Sequence, residues 1–123
     1  MPADQSTRQK LTATLTPLLP KAWKIVPYSR NLDTVERTTV MLHATEIRPA
    51  PSAAGALETD FVISIVSAKA DPTAAQEDLD DDVIALVLDL SSMGVIVRQA
   101  TPTVVQNNLS WDITITVIAR KDA

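Results

Sequence analysis

The sequence predicts an α+β domain of two layers: a mainly antiparallel sheet of four or five strands with two helices on one face, in the order α-β-β-β-α-β-β. Three observations carry that prediction. Residues 71–93 place Leu79, Val83, Leu86, Val87 and Leu90 at helical spacing, a stripe that must be buried. Segments 57–68 and 110–120 alternate apolar and polar residues at the period of a strand with one face covered. No internal repeat and no separating linker divides the 123 residues, so 1–123 reads as one domain.

The first element is a short amphipathic helix over 4–16, with Leu11, Leu15 and Leu18 at i, i+4 and i+7. It starts at Asp4 or Ser6, the latter forming a capping box with Gln9, and Pro17 and Pro20 end it. Residues 22–27 have β-branched and aromatic character with a proline at the far end, which suits an edge strand. Residues 28–37 are polar and without period, a loop.

Residues 38–48 form a strand with Val40, Leu42 and Ala44 on one face and Thr39, Met41, His43, Thr45 and Ile47 on the other. A small-residue loop over 49–55, containing Pro49, Pro51 and Gly55, is too long for a two-residue turn and reads as an arm. In the next strand Leu57, Thr59, Phe61, Ile63 and Ile65 share the apolar side; Val62 and Val66 on the other side predict that part of that face is covered too.

Asp71 is placed to cap the second helix, Pro72 to open it and Gly94 to stop it. Its stripe is expected across Phe61, Ile63, Ile113 and Ile115. Residues 95–100 make a strand interrupted near Pro102 and resuming to Val105, followed by a turn at Gln106, Asn107 and Asn108. The last strand sets Trp111, Ile113, Ile115 and Val117 against Asp112, Thr114, Thr116 and Arg120. A slip of one residue would expose four large apolar side chains, so its register is well specified. The tail 121–123 is expected to fray.

The net charge of −4 is unevenly distributed: residues 1–50 carry seven Lys or Arg against four Asp or Glu, and the remainder four against eleven. Isolated basic residues in an acidic chain argue against a nucleic-acid groove, which needs clustered cations to displace phosphate counterions. Complementary halves suit contact between copies of one protein, and solvated charge without a partner is the plainer alternative. The absence of cysteine excludes disulfides and thiolate metal sites. No apolar run approaches the ~20 residues of a membrane span, and 1–10 lacks a signal core, so a soluble, intracellular protein with no membrane partner is expected.

Chemistry is sparse. His43 is the single histidine, and Leu42, Ala44 and Thr45 beside it supply neither nucleophile nor orienting group, so a strand-surface histidine is expected over a general base. The run Asp78, Asp80, Asp81, Asp82 resembles a calcium loop only in charge, because Val83 stands where a glycine is needed and Asp89 where a glutamate is. Glu58 and Asp60 lack the aromatic cluster of a sugar site, and two glycines cannot build a phosphate loop. No catalytic, metal or cofactor residue is nominated, and no enzyme is expected. Val62, Val66, Ile47 and Ile118 on nominally outward sides, with the split charge, favour association over incidental burial by sheet twist.

One resemblance covers residues 8–119. Trp23-Lys24-Ile25-Val26-Pro27-Tyr28, then Asn31-Leu32-Asp33 and Arg37-Thr38-Thr39-Val40-Met41-Leu42, are similar to the tail terminator proteins of long-tailed bacteriophages. Phe61-Val62-Ile63-Ser64-Ile65-Val66-Ser67 leading to Asp71-Pro72, the helix with Ala75, Glu77, Asp78, Leu79 and Asp80, and Trp111-Asp112-Ile113-Thr114-Ile115-Thr116-Val117 resemble that family in the same order. The resemblance implies a six-membered ring on the head-proximal end of the tail tube, assembled in the host cytoplasm and carried in the virion. Its partners would be itself, the tail tube protein and the head connector protein. A ring needs head-to-tail contacts between unlike patches. Arg30, Arg37 and Arg48 are therefore expected to approach Asp78, Asp81 and Asp82 of a neighbour, and the Pro49, Pro51 and Gly55 loop to touch the tube or head-side ring. The alternatives are a head-completion or minor tail protein, and a small ligand-binding or hydrolytic domain.

Overall fold

A computed structural model describes residues 7–26, 36–49, 56–69, 71–105 and 108–120. The chain forms α1 (Thr7–Leu15), a 3₁₀ turn (Thr16–Leu18), β1 (Lys24–Val26), β2 (Thr39–Pro49), β3 (Ala56–Val66), α2 (Pro72–Ser92), β4 (Ile96–Val105) and β5 (Asn108–Arg120). Five strands make one sheet in the order β1-β2-β3-β5-β4, antiparallel throughout except for the parallel β1–β2 pair. The expected α+β class and element order therefore hold.

Both helices bury their stripes on the same sheet face. Leu11 and Leu15 of α1 and Leu79, Val83, Leu86 and Leu90 of α2 join Val40, Leu42, Phe61, Ile63, Ile65, Ile113 and Ile115 in a single core. Arg8 fixes α1 across β2 and β3: its Nη1 donates to the Leu42 carbonyl at 2.8 Å and its guanidinium lies 5.6 Å from the centre of the Phe61 ring. Leu42 is one residue past the last β1 partner, Met41, so Arg8 bonds β2 where β1 ends.

The punctuation of α2 follows the sequence closely. The Asp71 carboxylate accepts from Ala74 N at 2.9 Å, and Pro72 opens the helix. At the other end Val95 N donates to Leu90 O and Gly94 N to Ser91 O, with Gly94 at φ +82°, the double closure of a helix by a left-handed glycine. Only glycine adopts that φ without strain.

Several expectations need correction. The first α-helix ends at Leu15, as Pro17 and Pro20 predicted, one residue earlier than expected, and the chain tightens into a 3₁₀ turn over Thr16–Leu18 that holds Pro17. Pro102 does not interrupt β4, which is an edge strand with only one neighbour to bond. Pro49 belongs to β2, paired with Leu57, so it is not part of the arm; Pro51 and Gly55 lie outside the described residues. Ile47 does not share the face of His43, because a bulge between Ala44 and Glu46 reverses the alternation and sets Ile47 opposite Thr59. The starts at Asp4 and Ser6, the loop over 28–35, Gln106, Asn107 and the tail 121–123 also lie outside the described residues.

Val66 is fully buried with Val26 and Met41 in a second, small cluster, as its position on the less apolar side of β3 predicted. Among the described residues no helix is long and apolar enough to cross a membrane.

Candidate interaction surfaces

The helix-free face of the sheet carries the polar side chains that alternate with the core. At one end His43 Nε2 lies 3.1 Å from Ser64 Oγ, which donates to Asp112 Oδ1 at 2.9 Å; Ser110 Oγ donates to the same oxygen at 3.3 Å. Ser64 has one hydroxyl hydrogen and gives it to the carboxylate, so His43 Nε2 carries the hydrogen and donates to Ser64. The serine sits between histidine and aspartate. A nucleophile needs the histidine in the middle, taking the serine proton while the acid orients it, so this chain of bonds fixes three strands to one another instead of activating Ser64.

At the other end Arg48 is surrounded by acids. Its Nη1 meets Asp60 Oδ2 at 2.8 Å and Glu46 Oε2 at 3.0 Å, and its Nε meets Glu58 Oε1 at 3.2 Å. The Thr116 hydroxyl donates to Asp60 Oδ1 and accepts from Arg98 Nε, both at 2.7 Å. The Arg48 hydrogen bond, then that of Thr116, holds the Asp60 carboxyl below its ordinary range, and the same pairing raises Arg48. The Glu58 and Asp60 carboxylates thus converge on a guanidinium. Among the described residues no three His, Asp or Glu side chains gather as a metal site.

The two margins of the sheet differ sharply. At the β4 margin an apolar groove of about 360 Å³ runs between α2 and the sheet, lined by Val83, Ile84, Val87, Leu88, Ala100 and Trp111. Ile84 is 58% exposed, Leu88 65%, and Val104 on the edge strand 67%. Trp111 Nε1 donates to Asp80 Oδ1 at 3.2 Å, so one acid of α2 pins the indole to the groove floor. At ~100° per residue, Val87 and Ile84 lie on one flank of the buried stripe with Leu88 next to Ile84 on the outer side, and Asp78, Asp82 and Asp89 lie on the other flank. Asp81 and Asp82 are exposed and Asp78 half-buried. α2 contains no Lys or Arg.

At the β1 margin, Lys21, Lys24 and Arg37 are exposed, and among the described residues Glu36 is the exposed acid beside them. None of the three cations enters an ion pair with another described residue; the ion pairs found there all belong to Arg48. Lys24 N donates to Thr38 O at 2.9 Å, which sets Lys24 next to Arg37.

These placements revise the nominated contact residues. Asp78 and Asp82 stand on the flank of α2 turned away from the groove with Asp81 on its outer side, and Arg37 stands at the β1 margin. Arg48 is held by three acids of its own chain and is not an available cation. Arg30 lies outside the described residues. Sequence reasoning missed Ile84 and Leu88, although i and i+4 spacing on the outer side of the helix was there to be read, and it missed Lys21 and Lys24 as exposed cations on the same side of the sheet as Arg37.

No protein-family model matches the chain, and no curated protein matches it.

Proposed function

We propose that this chain is a structural protein that closes on copies of itself into a ring and, in that form, caps the head-proximal end of a long-tailed phage's tail tube, halting tube growth and joining tail to head connector. The observation carrying this reading is the opposite character of the two sheet margins. One is apolar and acidic at the α2–β4 groove; the other is basic at β1. Unlike patches on opposite sides of one molecule produce head-to-tail contacts, and such contacts close into rings when the rotation per copy permits. The similarity of residues 8–119 to tail terminators supplies the biological setting. A small-ligand or hydrolytic domain has less support, because the Ser64 bonds are ordered for rigidity and the groove lies open at the surface.

Tails assembled without this chain and viewed by electron microscopy are expected to carry tubes of uncontrolled length, and native mass measurement of the chain with tube present is expected to give six copies. Tubes of normal length that fail to join heads would move the assignment to head completion. A chain that remains single in the presence of tube would end the ring reading altogether.

A further inference from the structure

The geometry points to a specific seam between copies: the turn at Pro20, Lys21 and Ala22 of one copy enters the α2–β4 groove of the next. This inference rests on the ring reading and names the surfaces that build it.

The groove is apolar in its floor and acidic along its helix. Ile84, Leu88 and Trp111 offer apolar area, while Glu77 and Asp81 are exposed on the same helix with no basic neighbour along α2. Its occupant must therefore be small and apolar at the point of contact and cationic beside it. The chain itself carries such a feature. Pro20, Lys21 and Ala22 are all exposed, they follow the 3₁₀ turn in the helix layer, and Trp23 N donates to Pro20 O at 3.1 Å, closing the turn before β1 begins. A closed turn built on a proline loses little conformational freedom when it docks. Lys24 and Arg37 stand next to it and extend the positive charge.

Topology sets the two features at opposite margins, so they cannot meet within one molecule and can meet between molecules. A single register row crosses the sheet from Ile25 through Val40, Ile65 and Trp111 to Pro102. Its ends are four strand spacings apart, about 19 Å. The turn precedes β1, at the N-terminal end of that edge strand, and the groove lies over Trp111 near the β4 end of the row. A second copy placed beside the first, shifted along the strand direction, brings its β1 margin and the turn that precedes it to the groove. Direct extension of the sheet is disfavoured, because Pro102 and the irregularity between Val97 and Gln99 spoil β4 as a template for another strand. Side chains, and not backbone pairing, make this seam.

Two variants test it, each retaining one working half. Lys21→Glu with Ala22→Glu disables the turn; Ile84→Glu with Leu88→Glu disables the groove. Sedimentation velocity on the full chain is expected to show each variant alone associating at least about tenfold more weakly than the wild type. An equimolar mixture is expected to stop at a one-to-one pair, because only one turn and one groove remain competent. A wild-type chain that stays monomeric at millimolar concentration, with tube present as well as without, would overturn the seam and the ring together. Rings that form normally in either variant, or a mixture that gives no pair, would overturn the seam and leave the ring reading standing.

Discussion

The two faces of the sheet come from the same four strands, β2, β3, β5 and β4, and reach stability by different physics. On the helix side, Ile63, Ile65, Ile113 and Ile115 are wholly buried beneath Leu79, Leu86 and Leu90, and their contribution is removal of apolar surface from water. On the open side, neighbouring residues one step along each strand form two bonded chains, His43–Ser64–Asp112 and Arg48–Asp60–Thr116–Arg98. Those bonds replace bonds to water, so their net contribution is small, while their directionality pins the strands in one register. The first face supplies most of the energy and the second supplies specificity.

Truncating the helix-side core is the strongest way to probe that contrast. Leu86→Ala removes a buried side chain from a site enclosed by the sheet, and a loss of about 3 kcal/mol is expected in urea unfolding. On the open face, Ser64→Ala strips His43 Nε2 and Asp112 Oδ1 of their shared partner and is expected to cost about 1–2 kcal/mol by the same measurement. Equal losses at the two positions would break the comparison.

The smallest effect sharpens it. Because pairing lowers the folded pKa of Asp60, the carboxylate stabilises the fold above its unfolded value, ~3.9, and that contribution disappears as pH falls through the folded value. Thermal melts of Asp60→Asn should therefore lie below wild type at pH 7 and converge with it in strong acid. The gap should be modest, since Arg48 and its acids remain partly solvated. A constant gap at all pH values would show that Asp60 acts through packing instead.

Much of this was legible beforehand, for identifiable reasons. Leu79, Val83, Leu86 and Leu90 declared a buried helix face, Asp71 and Gly94 its ends, and the alternation around Ile63 and Ile113 the two central strands; all of these depend on local period and local backbone preference. Other features do not reside in any local stretch. The bulge at Ala44 and Glu46 turned Ile47 to the helix side, because a strand accepts an extra residue only in answer to its partner. Arg48 read as an available cation until Glu58 and Asp60 of the neighbouring strand enclosed it.

The sequence by itself determined the buried stripe of α2 and the buried faces of the two central strands, where α2 begins and ends, and how charge divides along the chain, since each follows from side-chain chemistry at fixed spacing. Tertiary structure alone decided that β1 and β4 become the two margins, that Trp111 finds Asp80, and that Ile84 and Leu88 remain uncovered beside an edge strand. Strand order is not written in any window of residues, and it is strand order that sets a basic turn and an acidic, apolar groove on opposite sides of one molecule.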